Sequence, residues 1–177
     1  VFTDPQYRPF MKYVENQTGQ APEDCMFDKW DPQKIMDILA EMRKINAYVR
    51  KHRKQLRATR LYSCSILIDD FADDASVSKS PNSPLIKLFT QGRHSQVSTT
   101  CLTQRWRLLQ NSIRVNLHAL WVGKLSNSLE VKALAEEFGN AAGSDENFLR
   151  MLKRATAQEY GFLYVTFGKQ VRFFNSY

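Results

Sequence analysis

Two adjacent carboxylates, Asp69 and Asp70, follow directly on the apolar run Ile66-Leu67-Ile68, and Arg93, Gln104 and Arg105 come after them. Mg²⁺ prefers hard oxygen ligands and keeps several of its waters, so one carboxylate at a strand end is enough to anchor it beside phosphates. We assign that role to Asp69. The second carboxylate, Asp70, is then left to orient or deprotonate an attacking water. Gln104, at the end of a second strand, would hydrogen-bond that water or a terminal phosphate, and an arginine between the two strands would offset charge built up in phosphoryl transfer. As a bare pattern, an apolar run ending in Asp-Asp is weak, because strands often end in an aspartate that caps the next turn. The value lies in the order of the three groups, which are expected to converge on one site.

The elements that must position them are readable from periodicity. Residues 62–68 read as a central strand covered on both faces, with the two aspartates at its carboxyl end, where α/β sheets bind nucleotides. A polar loop rich in serine and proline follows over 76–83, then a short helix around 85–91. A second strand ends at Leu102-Thr103-Gln104-Arg105.

The segment Ile68-Asp69-Asp70-Phe71-Ala72-Asp73 resembles the Asp-Glu-Phe-Ala-Asp form of the Walker B motif in the FtsK/HerA superfamily of DNA-pumping ATPases. Gly92-Arg93-His94 through Thr103-Gln104-Arg105 resembles the family's arginine block and its Thr-Gln-Arg segment. Ser112-Ile113-Arg114-Val115-Asn116-Leu117 is similar to the Ile-X-X-Asn stretch that follows. The Asp-Asp pair is most like the DNA-packaging ATPases of poxviruses, giant viruses and virophages. The resemblance covers residues from about 61 onward. It implies a P-loop NTPase core of the additional-strand, RecA-like type, with ATP and Mg²⁺ as cofactors and double-stranded DNA as partner. It further implies a homo-oligomeric ring in which Arg93, or alternatively Arg105, reaches a neighbouring subunit's phosphate; Arg93 is preferred because it matches the arginine block. A viral member would work in the host cytoplasm or the virion.

One part of that machinery is missing. A P-loop needs Gly-x-x-x-x-Gly-Lys-Ser/Thr, whose backbone N–H groups cradle phosphates. Gly123-Lys124-Leu125 and Gly168-Lys169-Gln170 both fail the pattern. Either the loop has been lost, or residues 1–177 are one ATPase domain truncated at its N-terminus, with the loop upstream of Val1. The second is favoured, since Val1-Phe2-Thr3-Asp4-Pro5 reads as a strand ending. This chain alone is then expected not to hydrolyse ATP.

Composition sets wider bounds. The chain has 177 residues, 43% of them apolar, which fits one domain with a sizeable core. No run has the length of a membrane span and nothing reads as a signal peptide, so no membrane partner and an intracellular site are expected. Cys25, Cys64 and Cys101 lack metal or disulfide spacing and read as reduced thiols, and His52, His94 and His118 are scattered without zinc spacing. The net charge of +7 is concentrated. Residues 42–60 contain Arg43, Lys44, Arg50, Lys51, Arg53, Lys54, Arg57 and Arg60 and no acid.

That run reads as the second half of a helix capped by Asp31, with Pro32 at its first position. Ile35, Ile38, Leu39, Met42, Ile45, Val49 and His52 form its apolar stripe. The basic residues then either face solvent and complement the helix dipole or touch a phosphate backbone without sequence preference. Arg50, Lys51, Arg53 and Lys54 are the candidate contacts.

A short helix over 6–16, a strand over 118–123, helices over 129–138 and from Asp145 to about 155, and a hairpin turning at Gly168-Lys169 complete the pattern. Together these give an α/β fold, a mostly parallel sheet flanked by helices and finished by a C-terminal antiparallel hairpin. Three functions follow. The first is an ATP-driven translocase that packages a viral genome. The second is a non-catalytic nucleic-acid-binding or structural protein of the same fold. The third is a helicase or conjugative-transfer ATPase of the same superfamily.

Overall fold

A computed structural model describes residues 8–19, 21, 26–27, 29–69 and 83–175. Asp70 and the 76–82 part of the serine-rich loop lie outside them, as does Cys25. The described helices are α1 (Arg8–Thr18), α2 (Pro32–Lys51), α3 (Pro84–Gln91), α4 (Asn111–Arg114), α5 (Ser128–Ala142) and α6 (Asp145–Ala155). Five strands accompany them: β1 (Cys64–Ile68), β2 (Val97–Cys101), β3 (Ala119–Val122), β4 (Leu163–Phe167) and β5 (Val171–Asn175).

Side-chain oxygens start most of the helices. Asp31 accepts the Lys34 N–H at 3.0 Å, Ser83 that of Leu85 at 3.2 Å and Asn127 that of Leu129 at 2.9 Å. Ser144, rather than the expected Asp145, caps α6 by accepting from Asn147 at 3.1 Å. Asp145 instead sits inside the first turn, where its charge suits the helix dipole. Gly143, at φ 90°, ends α5 in the left-handed region that glycine enters freely.

The α/β class holds, but the described strands form two small sheets. β1 and β2 run parallel, in register from Cys64↔Val97 to Ile68↔Cys101. β3, β4 and β5 form an antiparallel sheet in that order, so the expected C-terminal hairpin is present with β3 added to it. No larger parallel sheet exists among the described residues. β1 also departs from expectation: Ser65 and Leu67 are exposed and Ile68 is buried, so one face packs and the other is open.

Two cores follow from this division. Trp106, Phe138, Phe148, Leu152, Leu163 and Val165 lead the core between the antiparallel sheet, α5 and α6. Ile35, Leu39, Ile68, Leu85, Leu88, Val97 and Ile113 build the core under α2, α3 and the parallel pair. Cys101 and Leu117 pack against both.

Helix α2 differs from its sequence reading in phase and length. Its buried face carries Ile35, Leu39, Asn46 and Val49, while Ile45 is exposed. Asn46 is 1% exposed and its amide donates to Tyr62 O at 3.0 Å and to Ser95 O at 3.5 Å. The helix ends at Lys51 instead of running through the basic stretch. The Arg53 guanidinium explains the stop: it donates to Ala58 O at 3.1 Å and Thr59 O at 3.0 Å, closing a compact turn in which Arg57 takes φ 48°.

Candidate functional site

Parallel pairing decides which candidate groups meet. Since Ile68 lies opposite Cys101, and the Leu102 N–H donates to Ile68 O at 2.8 Å, Asp69 leaves β1 beside the chain leading into Thr103-Gln104-Arg105. Asp69 and Gln104 are therefore gathered at the carboxyl edge of one parallel pair, both exposed. This is the edge at which α/β sheets present groups to ligands.

The turn that carries Gln104 is tightly held. Thr103 Oγ1 accepts the Arg105 N–H at 3.1 Å and donates to Arg105 O at 3.3 Å. Trp106, 6% exposed, donates its indole N–H to Glu137 Oε2 at 2.8 Å, and Arg114 pairs with the same oxygen at 2.6 Å. The Arg114 guanidinium also lies 5.7 Å from the centre of the Trp106 ring. Two turns earlier on α5, the buried Glu130 accepts the Arg107 N–H at 3.1 Å. Glu130 and Glu137 thus fasten the 105–114 segment to α5. Neither was singled out from sequence, although two acids seven residues apart flank the apolar positions Ala133 and Leu134 on one helix face.

Arg93 is elsewhere. It lies in a 3₁₀ turn, Gly92–Ser95, ahead of β2, where Gln96 O accepts the Cys64 N–H at 3.0 Å. That is the amino edge of the pair. Five strand residues at about 3.3 Å each separate it from the edge that bears Asp69 and Gln104. The expected convergence of three groups is therefore two groups at one edge and Arg93 at the other. Arg105, exposed beside Gln104, is the arginine on the Asp69 edge.

As for cofactors, Asp69 has no hydrogen bond or ion pair among the described residues, and an unpaired carboxylate at a strand end suits a largely hydrated Mg²⁺. No group of three or more His, Cys, Asp or Glu that could enclose a metal occurs among the described residues. Phosphate cradling by a P-loop is not provided by the sequence.

The basic run is divided by the end of α2. Arg50 and Lys51 occupy the last helical turn and Lys54 the turn beyond, all exposed, their side chains without hydrogen bonds or ion pairs among the described residues. Arg53 is the turn staple. Arg43 is also engaged, donating to Ser95 Oγ at 2.9 Å and Gln91 Oε1 at 3.0 Å. No described helix is long and apolar enough to cross a membrane. Comparison of the chain with models of protein families, with curated proteins and with solved structures gave no match.

Proposed function

We propose that the chain is the hydrolytic part of an ATP-driven double-stranded DNA translocase of the viral genome-packaging type, built on a P-loop NTPase core. The observation that supports this reading most is the meeting of Asp69 with the Thr103-Gln104-Arg105 turn at the carboxyl edge of a parallel strand pair. In it, Asp69 anchors Mg²⁺, Asp70 serves as base for the attacking water, and Gln104 orients that water or the terminal phosphate. Bound ATP and Mg²⁺ would supply the reacting phosphate and its charge neutralisation.

Arg93, at the opposite edge from Asp69, acts in this reading only on the phosphate of another subunit of a homo-oligomeric ring. The exposed Arg50, Lys51 and Lys54, with Arg53 beside them, supply a contact to the DNA backbone that is indifferent to sequence. Each described sheet ends in strands with one unpaired edge, which is compatible with a larger sheet. A second reading, a non-catalytic nucleic-acid-binding protein, is favoured by the absence of a phosphate-cradling Gly-Lys-Ser/Thr loop from the sequence.

Turnover separates them. This chain alone should hydrolyse no ATP. Joined to a phosphate-binding loop, it should hydrolyse ATP with DNA present, and Asp70→Asn should still bind nucleotide while losing turnover. Normal ATPase rates in that variant would remove Asp70 as the base, and a loop-bearing form without activity would leave the non-catalytic reading.

A further inference from the structure

Beside the basic run lies an apolar groove that a backbone contact alone leaves unused. Ile45, Tyr48, Val49, Leu56 and Tyr62 line an open hollow of about 370 Å³ between the last turns of α2, the basic turn and the chain entering β1. Its two rings are turned to solvent: Tyr48 is 59% exposed and Tyr62 65%. The Tyr48 ring leans on His52, with centroids 4.5 Å apart. Tyr62 is fixed through its backbone, whose carbonyl accepts from the buried Asn46. The backbone that carries Tyr62 is thus tied to α2, which carries Tyr48.

Charge narrows the choice of occupant. Residues 42–60 hold eight cations and no acid, and Arg50, Lys51, Lys54, Arg57 and Arg60 are exposed and without ion pairs among the described residues. The carboxylate among the groove's lining residues, Glu41, is paired with Lys44 at 3.4 Å. Exposed aromatic rings set beside unpaired cations are the combination that holds single-stranded nucleic acid, bases stacking on rings while phosphates meet the charges. A duplex keeps its bases stacked internally and presents none to such a groove. We infer that the Tyr48–Tyr62 groove binds an unpaired base of a single-stranded nucleic acid whose backbone runs along Lys51, Lys54 and Arg57. This deepens the nucleic-acid contact proposed above and rests on it for the cationic part.

Fluorescence anisotropy of the chain with labelled oligothymidylate, a duplex of equal length and an acidic amphipathic peptide tests it. Both tyrosines are exposed, so Tyr48→Leu with Tyr62→Leu keeps the fold. That pair should weaken oligothymidylate binding about tenfold, leaving duplex affinity and the salt slope unchanged. Replacing Lys51, Lys54 and Arg57 by glutamine should weaken both nucleic acids and flatten the salt slope. If the glutamine variant loses binding while the leucine variant keeps it, the base groove is overturned and the backbone contact stands. If neither nucleic acid binds the parent chain, the backbone contact falls as well. Peptide binding that the leucine pair abolishes, with oligothymidylate unaffected, would overturn the proposal in favour of a protein partner.

Discussion

The core under the antiparallel sheet is closed by aromatic rings, whereas the fully buried hydrophobic side chains of the core under the parallel pair are all aliphatic. Phe138 meets Trp106, Phe148 and Phe167 at centroid distances of 5.5, 5.9 and 5.7 Å, and Phe148 meets Phe173 at 6.1 Å. Around β1 and β2 the buried hydrophobic residues are Ile, Leu and Val, and polar ties come from the amide of Asn46 and from Arg43 to Ser95. Of the candidate groups, Asp69 lies on the aliphatic half and Gln104 where the two halves join, beside exposed Leu67 and Leu102. Few buried contacts and exposed strand edges mark a region that opens more readily than a ring-packed one. The C-terminal half, which also anchors the Gln104 turn through Trp106, is therefore expected to act as the scaffold, and β1 with Asp69 to move more readily.

Three measurements would break or sharpen this contrast. The largest effect is expected from Phe148→Ala, which empties a fully buried site in the aromatic core and should cost about 3–5 kcal/mol in urea unfolding. A loss below 1 kcal/mol would remove the ring cluster as the anchor. Next comes Asn46→Ala, which leaves the carbonyls of Tyr62 and Ser95 short of a donor and should cost about 1–3 kcal/mol. Its distinguishing mark is location: amide exchange should quicken in β1 and β2 and stay slow in β4.

The smallest effect concerns Glu146 at the start of α6. Its own backbone N–H, and then the Ser144 hydroxyl, hold its carboxyl below the usual glutamate range. A carboxylate whose folded value is depressed adds stability above its unfolded value and loses it as pH falls through the folded one. Acid should thus loosen α6 slightly, and Ser144→Ala should move the Glu146 midpoint, followed by NMR, back toward that range. A midpoint unmoved by that change would discard the hydroxyl as a cause.

Much of this architecture was legible because local rules govern it. Asp31-Pro32 announced the start of α2, and alternation around the Gly168-Lys169 turn announced the β4–β5 hairpin. What escaped reading depends on neighbours that spacing does not name. The apolar stripe of α2 pointed to Ile45, yet Asn46 is buried because two strand-end carbonyls await its amide. The helix stopped early because the Arg53 side chain found the carbonyls of the following turn. The candidate site was half legible: Asp69 and Gln104 share an edge because parallel strands end together. Arg93 precedes the strand that Gln104 follows, so the length of β2 holds them apart.

The Asn46 amide has a mechanical consequence. Together with Arg43, which holds Ser95 and Gln91, it pins α2 to the chain entering both parallel strands. The helix is thus a lever whose fulcrum lies near its far end, with the cationic turn as its short arm. A load applied to that turn is delivered to both strands at once, because they share the same pin.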